Sequence, residues 1–264
     1  MGWGALVVSA AWRQFQDEIA RWDVAGRTVD FWWRDDDACR PDPALARLIA
    51  LADGAQVPLA LAVIPADAVP AAFESLAPVV TLLQHGVDHR NRALANEKKT
   101  EFSAREPLPA ALARLAQGRA QLESVAPGRS LAVLVPPWNR ISMPQLIAEL
   151  AGAGYRGLST FGPRVAAQST VSLVLANTHV DVIDWRGTRG FVGEDAALEQ
   201  ATRHLVARRT GLADPTEATG WLTHHATHDE PAWTFLARLL ERTRDQPAAR
   251  WRSAADLFCD HRSK

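Results

Sequence analysis

Short apolar runs typical of strands alternate with helix-like periodic segments along this whole sequence, and no linker interrupts them. This alternation constrains the fold more than any other feature. Successive βα units are typical of a mainly parallel sheet or barrel with helices packed on its faces. We therefore predict one α/β domain over residues 1–264.

The predicted strands and helices follow one another in a regular order. Several of the helices begin with Pro in the first turn, where the missing N–H costs nothing. The strands are predicted near Thr28–Trp33, Pro58–Ile64, Val79–Gln84, Leu131–Val135, Gly157–Thr160, Val171–Ala176 with Val180–Ile183, and Gly220–Thr223. The helices are predicted near Pro43–Asp53, Pro107–Val125, Pro144–Gly152, Ala196–Arg209 and Pro231–Arg244.

Charge and cysteine content exclude several classes of protein. A formal net charge of −1 leaves no basic field that would attract nucleic acid or anionic lipid. Two cysteines, Cys39 and Cys259, exclude a disulfide scaffold and a four-cysteine zinc site. The apolar opening Met1–Ala11 lacks the basic segment of a signal peptide and is shorter than the roughly 20 residues that span a bilayer. We expect a cytoplasmic protein that binds neither nucleic acid nor membrane, with its oligomeric state left open.

One segment departs from the alternation. Residues 90–106, RNRALANEKKTEFSARE, are polar and have no apolar period. A long polar excursion after a strand predicts a lid or binding loop. The alternative is a solvated segment in which Glu97, Lys98, Lys99 and Glu101 face water.

Candidate site residues lie where predicted strands end, because α/β enzymes place their sites at that edge of the sheet. The first strand runs into Asp35, Asp36 and Asp37. Three adjacent carboxylates repel one another unless a cation or proton compensates, and Arg34 supplies part of that compensation. The alternative is that one of the three only caps the following helix.

Two histidines follow the third strand in QHGVDHRN. His85 and His89 are four residues apart, and both imidazoles would reach one ion if the turn between them is helical. Together with an aspartate they would complete a three-ligand set with an open water position, as catalytic zinc requires. The alternative is two unrelated surface histidines.

The last strand leads into WLTHHATHDE, which holds His224, His225 and His228. His224 and His228 form a second HxxxH that competes for the metal. We favour a general-acid role here, because a hydrolase must protonate its leaving group and histidine titrates near neutral pH.

Two further strand ends carry aromatic residues. VPPWNR after the fourth strand is predicted to direct Trp138 and Asn139 into a cleft, and Asp184 with Trp185 would form its wall. Each tryptophan has the alternative of a core position. The sequence contains neither a phosphate-binding GxxxxGK[ST] nor a GxSxG nucleophile, so metal-activated water is the best candidate nucleophile.

The order of these motifs resembles the polysaccharide deacetylase superfamily, carbohydrate esterase family 4. The resemblance spans Phe31 to Asp229. It implies a distorted (β/α)7-type barrel that removes acetyl groups from N-acetylated sugars with one divalent metal ion. Zinc is the expected metal, with cobalt, nickel and manganese as alternatives.

The resemblance also implies individual roles. Asp36 becomes the general base, with a shift to Asp35 left open, and His224 becomes the general acid. The DxxDW motif, which shapes the pocket in the family, matches Asp181, Asp184 and Trp185. The implied metal ligands are Asp37, His85 and His89.

Three departures mark a divergent branch. Val135 stands where the family has the arginine that braces the catalytic aspartate, so Arg34 or Arg140 must replace it. His225 stands in place of an aspartate, and Ala38 in place of a glycine. We expect a hydrolase of a small acetylated saccharide or another acylated amine. The alternatives are a non-catalytic glycan-binding barrel and a metal-dependent hydrolase of another amide or ureide.

Overall fold

The computed structural model describes residues 9–164 and 173–259. Within these residues one sheet contains nine strands, and every pairing between neighbouring strands is parallel. The strands are β1 Val29–Ala38, β2 Leu59–Val63, β3 Val80–His85, β4 Ser130–Val135, β5 Gly157–Leu158, β6 Val174–Leu175, β7 Val180–Asp181, β8 Thr219–Thr223 and β9 Ala249–Trp251.

The sheet order is β6-β5-β4-β3-β2-β1-β8-β7, and β9 pairs with the start of β1. Its curl and its crossover helices make a distorted (β/α) barrel, which confirms the predicted fold class. No helix in the described ranges is long and apolar enough to cross a membrane. The helices are α1 Ala10–Val24, α2 Pro43–Ala55, α3 Leu108–Val125, α4 Pro144–Glu149, α5 Glu194–Thr210, α6 Glu230–Thr243 and α7 Ala254–Cys259.

The five predicted helices are all present within a few residues of their expected bounds. Several strand predictions need correction, and the predicted strands Gly157–Thr160 and Val180–Ile183 end two residues early, at Leu158 and Asp181. The first strand continues to Ala38, so the aspartate run lies inside β1 and not after it. Of the predicted strand Val171–Ala176, the described residues 173–176 contain only β6, while Val171 and Ser172 lie outside the described residues.

Helix α1 was not predicted, although its sequence carries the signal. Trp12, Phe15, Ile19 and Trp22 recur every three to four residues, and all four are buried. Ser9 caps the helix by accepting a hydrogen bond from the backbone N–H of residue 12. This helix therefore covers an outer face of the barrel.

Side-chain alternation along β1 separates two environments. Phe31 and Trp33 pack in the core between sheet and helices, whereas Trp32 packs with Ala60 and Ala62 in a second cluster on the inner face. Residues two apart on a strand share a face. Arg34 and Asp36 therefore continue the inner face, at the carboxyl end of the barrel.

Candidate active site

A bulge in β1 positions the first candidate ligand. Asp35 pairs with Leu61 and Ala38 pairs with Val63, so β1 contains one residue more than β2 between these points. Asp37, in that extra stretch, has φ 74°. A bulge rotates the side chains that follow it. Strict alternation would have put Asp37 on the same face as Asp35, whereas the bulge turns it towards the end of β3.

Three side chains meet at this point. Asp37 Oδ1 lies 3.1 Å from His85 Nε2 and 3.4 Å from His89 Nε2. His85 Nδ1 lies 3.0 Å from the carbonyl oxygen of Val135, which fixes the proton on Nδ1 in the neutral ring and leaves the Nε2 lone pair facing the aspartate. Two acceptor atoms so close require a proton or a cation between them.

The pKa shifts of Asp37 and His85 also indicate a proton or a cation between these side chains. Burial opposes ionisation of Asp37, but His85, His224 and His89 outweigh it and hold the pKa of this carboxyl well below its usual range. Burial also opposes a charge on His85, yet the charge of Asp36 and the hydrogen bond to Asp37 raise its pKa. Asp37 Oδ1 is buried, and its polar neighbours among the described residues are the Nε2 atoms of His85 and His89. One carboxylate oxygen and two imidazole nitrogens in this arrangement fit a divalent cation.

We expected His85 and His89 to reach one ion if the turn between them is helical. The turn is not helical. Gly86 and His89 instead adopt positive φ angles of 55° and 52°. The two imidazole rings still lie 5.2 Å apart, centroid to centroid. A turn with two left-handed residues therefore brings the two imidazoles together, as one helical turn would also do.

The candidate base is braced by an arginine from its own strand. Arg34 Nε lies 2.8 Å from Asp36 Oδ1, and Nη2 lies 3.0 Å from Oδ2, with both residues buried. The same guanidinium donates to Ser159 Oγ and Asn139 Oδ1, each at 2.6 Å. Arg140 donates instead to the carbonyl oxygen of Lys99. Arg34 thus occupies the role that the sequence left open between the two arginines.

Asp35 is directed away from the ligands. Its carboxylate accepts hydrogen bonds from Thr223 Oγ1 at 2.7 Å and from the backbone N–H of His225 at 2.9 Å. His225 Nδ1 lies 2.5 Å from its other oxygen. Burial raises the pKa of Asp35, but His225 outweighs it and lowers that pKa overall. Asp35 and His225 therefore form a buried pair, and the choice between Asp35 and Asp36 as the base stays a prediction.

His224 faces the site from the β8 side. Its ring packs edge-on against Trp185 at 4.7 Å, and Trp185 Nε1 donates to Asp181 Oδ2 at 2.9 Å. His224 Nδ1 is buried and has no hydrogen-bond partner among the described residues. Asp184 instead accepts hydrogen bonds from the backbone N–H groups of Arg186 and Gly187. Asp184 shapes the loop, while Asp181 and Trp185 hold the histidine.

Two tryptophans flank the cluster. The Trp138 ring lies 4.6 Å from His89, with φ 55° at Trp138, and Trp185 lies on the His224 side. Five other tryptophans are fully buried core residues. They are Trp12, Trp22, Trp32, Trp33 and Trp221.

Sequence reasoning missed two polar partners. Ser159, which binds Arg34, carries no local signal because it is 125 residues away in sequence. Glu101 was expected to face water in the solvated alternative, but it is fully buried. Thr100, Phe102 and Ser103 are also buried, so residues 100–103 are part of the core. A lid function stays a prediction for the exposed first half.

A second group of possible ligands, His179, His204 and Glu217, lies at the amino end of β8. His179 Nδ1 accepts a hydrogen bond from the backbone N–H of Gly220, so its Nε2 carries the proton in the neutral ring and cannot ligate. The two rings stack almost in parallel, at 3.5 Å and 13°, and therefore do not converge on one ion. Burial lowers the pKa of His179 to about 3 and that of His204 to about 2. The two histidines are therefore neutral, and the group is buried in the core.

No family model matches the sequence, and no curated protein matches it. Among solved structures, a Mycobacterium smegmatis protein assigned to the polysaccharide deacetylases aligns with a TM-score of 0.62 and 18% identity, covering 88% of this chain and 90% of that one. The chain has the polysaccharide deacetylase fold.

Two further structures with the deacetylase fold are similar. A peptidoglycan deacetylase of Bacillus subtilis aligns with a TM-score of 0.52 and 14% identity, covering 88% of this chain and 90% of its own. A family 4 carbohydrate esterase from Streptomyces lividans, in complex with acetate, aligns with a TM-score of 0.51 and 12% identity, covering 81% and 86%. The resemblance inferred from the motifs is confirmed at the level of the fold.

Proposed function

We propose that this chain is a metal-dependent hydrolase of the polysaccharide deacetylase superfamily, which removes acetyl groups from an N- or O-acetylated saccharide. The convergence of Asp37, His85 and His89 carries this proposal, since their ligand atoms all lie within 4.8 Å of one another. One carboxylate and two imidazoles form a three-ligand site that leaves a position for water. Zinc is the proposed ion, and cobalt, nickel and manganese accept the same ligands.

The surroundings of the ligands support a saccharide or another acylated amine as substrate. The fold is shared with proteins described as deacetylases and carbohydrate esterases. Trp138 and Trp185 stand on two sides of the ligands, and Trp185 is 43% exposed. An aromatic face with a polar edge suits a ligand that has both apolar and hydroxyl-bearing surfaces.

The chemistry divides between two side chains. A bound divalent ion would polarise the acyl carbonyl and lower the pKa of the attacking water. Asp36 accepts the proton of that water at a carboxylate oxygen, and Arg34 holds both oxygens in place. His224 donates a proton from a ring nitrogen to the leaving amine or alkoxide, with Trp185 fixing the ring plane.

The catalytic interpretation is favoured over a binding-only barrel because both substitutions that suggested lost chemistry are compensated. Arg34 braces Asp36 in place of an arginine at position 135. His225, in place of an aspartate, pairs with Asp35 across β1 and β8. Asp36 and His225 therefore each have a charged partner in the site.

The first test is metal content, measured by plasma mass spectrometry on protein purified without added metal. Wild type and the control His228→Ala should each carry about one equivalent of a transition metal, and His85→Ala should carry almost none.

A substrate screen follows the metal measurement. Acetate release from N- and O-acetylated saccharides, beside amine release from amides and ureides, identifies the substrate class. Absence of metal from wild type even after zinc soaking would contradict the proposal, and saturable sugar binding without acetate release would favour the binding-only barrel.

A further inference from the structure

A fully buried carboxylate lies beneath the turn that carries the histidines. Glu101 accepts hydrogen bonds from the backbone N–H of Val87 at 3.0 Å, of Asp88 at 3.4 Å and of His89 at 3.1 Å. Its relative exposure is 0%. Burying a carboxylate is costly unless it is paired and hydrogen-bonded, so this arrangement needs an energetic compensation.

The compensation comes from α3. Arg114 Nη1 lies 3.0 Å from Glu101 Oε1, while its other nitrogens bind Glu106 at 2.8 and 2.9 Å. Glu101 thus connects the turn to a long helix through an ion pair in which the glutamate is fully buried and the arginine is partly exposed. Glu106 shares the same arginine, but its bonds in the structure go to Arg114 and not to the turn.

The turn is pressed tightly against this support. A Cβ at Gly86 would meet the Glu101 carboxylate and would lie 2.6 Å from Pro137 Cδ. Gly86 also has a positive φ of 55°, and His89 has φ 52°, a conformation that a side chain disfavours. The hydrogen bonds to Glu101 oppose relaxation of this backbone.

The two histidine ligands differ in how they are held. His85 ends β3, and Val135 accepts a hydrogen bond from its ring. His89 lies beyond the strand, so its position depends on the turn. We propose that Glu101 is a positioning residue for the metal site, which holds residues 87–89 so that His89 Nε2 points at Asp37. This inference rests on the proposed function, because it requires that Asp37, His85 and His89 bind a metal ion.

Two matched variants test the inference. Glu101→Gln keeps the size of the side chain but turns an NH₂ group towards backbone N–H donors, whereas Glu106→Gln removes a carboxylate from the same arginine and leaves the turn untouched. Cobalt affinity is measured by competition with a chromophoric chelator, together with the ligand-field spectrum of bound Co²⁺ and the Tm of the metal-free protein. Glu101→Gln should weaken cobalt binding by about 10- to 100-fold and change the spectrum, and Glu106→Gln should change affinity by less than about 3-fold.

A second variant keeps the test valid if Glu101→Gln does not fold. Glu101→Asp retains the charge for Arg114 but is one methylene too short for the turn, so it should weaken cobalt binding more than its loss of Tm accounts for. Equal affinity in all variants, or equal losses in Glu101→Gln and Glu106→Gln, would overturn the positioning role. Wild type that binds no cobalt would overturn the metal site itself, and with it this inference.

Discussion

Arg34 and Asp36 lie two residues apart on the inner face of β1, and the guanidinium of one binds both carboxylate oxygens of the other. The counter-ion of the Asp36 carboxylate therefore comes from its own strand. Because both side chains are almost fully buried, each depends on the other for compensation of its charge.

Removal of the Arg34 guanidinium should lower both the stability of the fold and the activity. Arg34→Gln leaves the Asp36 carboxylate buried without its counter-ion, which we expect to destabilise the fold by about 3–5 kcal/mol and to abolish turnover. The control Arg140→Gln removes a guanidinium that binds only a backbone carbonyl among the contacts seen, and should cost less than about 1.5 kcal/mol. Urea unfolding and acetate release measure both effects. Similar stability of the two variants would disprove the brace.

Adjacent aspartates should separate metal binding from catalysis. Asp36→Asn should retain the metal and lose turnover by at least about 10²-fold, because the amide cannot accept the proton of water. Asp37→Asn should lose both, because Asp37 Oδ1 is the oxygen that faces the two histidines. Metal content and acetate release are measured on the same preparations. Equal metal loss in both variants would contradict this division of roles.

The role of His224 can be tested through the leaving group. His224→Asn should slow hydrolysis of an N-acetyl substrate by about 10²- to 10⁴-fold, because an amine must be protonated as it departs. Hydrolysis of an aryl acetate should fall much less, since a phenolate leaves without a proton. His228→Asn serves as the control and should affect neither substrate strongly. A comparable loss on both substrates would assign His224 to binding and not to proton transfer.

The two neutral histidines at the amino end of β8, His179 and His204, predict that the folded protein loses stability in acid. His204 is 5% exposed, and burial lowers its pKa to about 2. Below its pKa of about 6.5 in the unfolded chain, His204 binds a proton in the unfolded state but not in the folded state. The free energy of unfolding therefore falls as the pH decreases through that value. Between pH 7 and 5.5 His204 should therefore account for about 1.3 kcal/mol of lost unfolding free energy.

Urea unfolding at these two pH values tests that expectation. His204→Gln should lose less stability on acidification than wild type, by the amount that the single histidine contributes. Arg203→Gln, at an exposed position on the same helix, should show the wild-type dependence. An unchanged pH dependence in His204→Gln would show that this histidine binds its proton equally well in the folded and the unfolded chain, which would contradict the expected lowering of its pKa.

The sequence by itself determined the α/β class, five of the seven α-helices in the described ranges and the residue types of the candidate site. These features are local, since periodicity, proline at helix starts and polar residues at strand ends are visible within a few positions. The sequence of α1 carried the same kind of signal in its spaced aromatic residues. Helix α1 is therefore also predictable from the sequence alone.

Only the tertiary structure decided how the site is assembled. The bulge that turns Asp37, the choice of Arg34 over Arg140 and the burial of Glu101 all depend on contacts between separate segments of the chain. Arg34 meets Ser159 across 125 residues, and Asp35 meets His225 across 190. A charged residue in a polar run has the same local signature whether it faces water or a buried ion pair, because its partner comes from elsewhere in the fold.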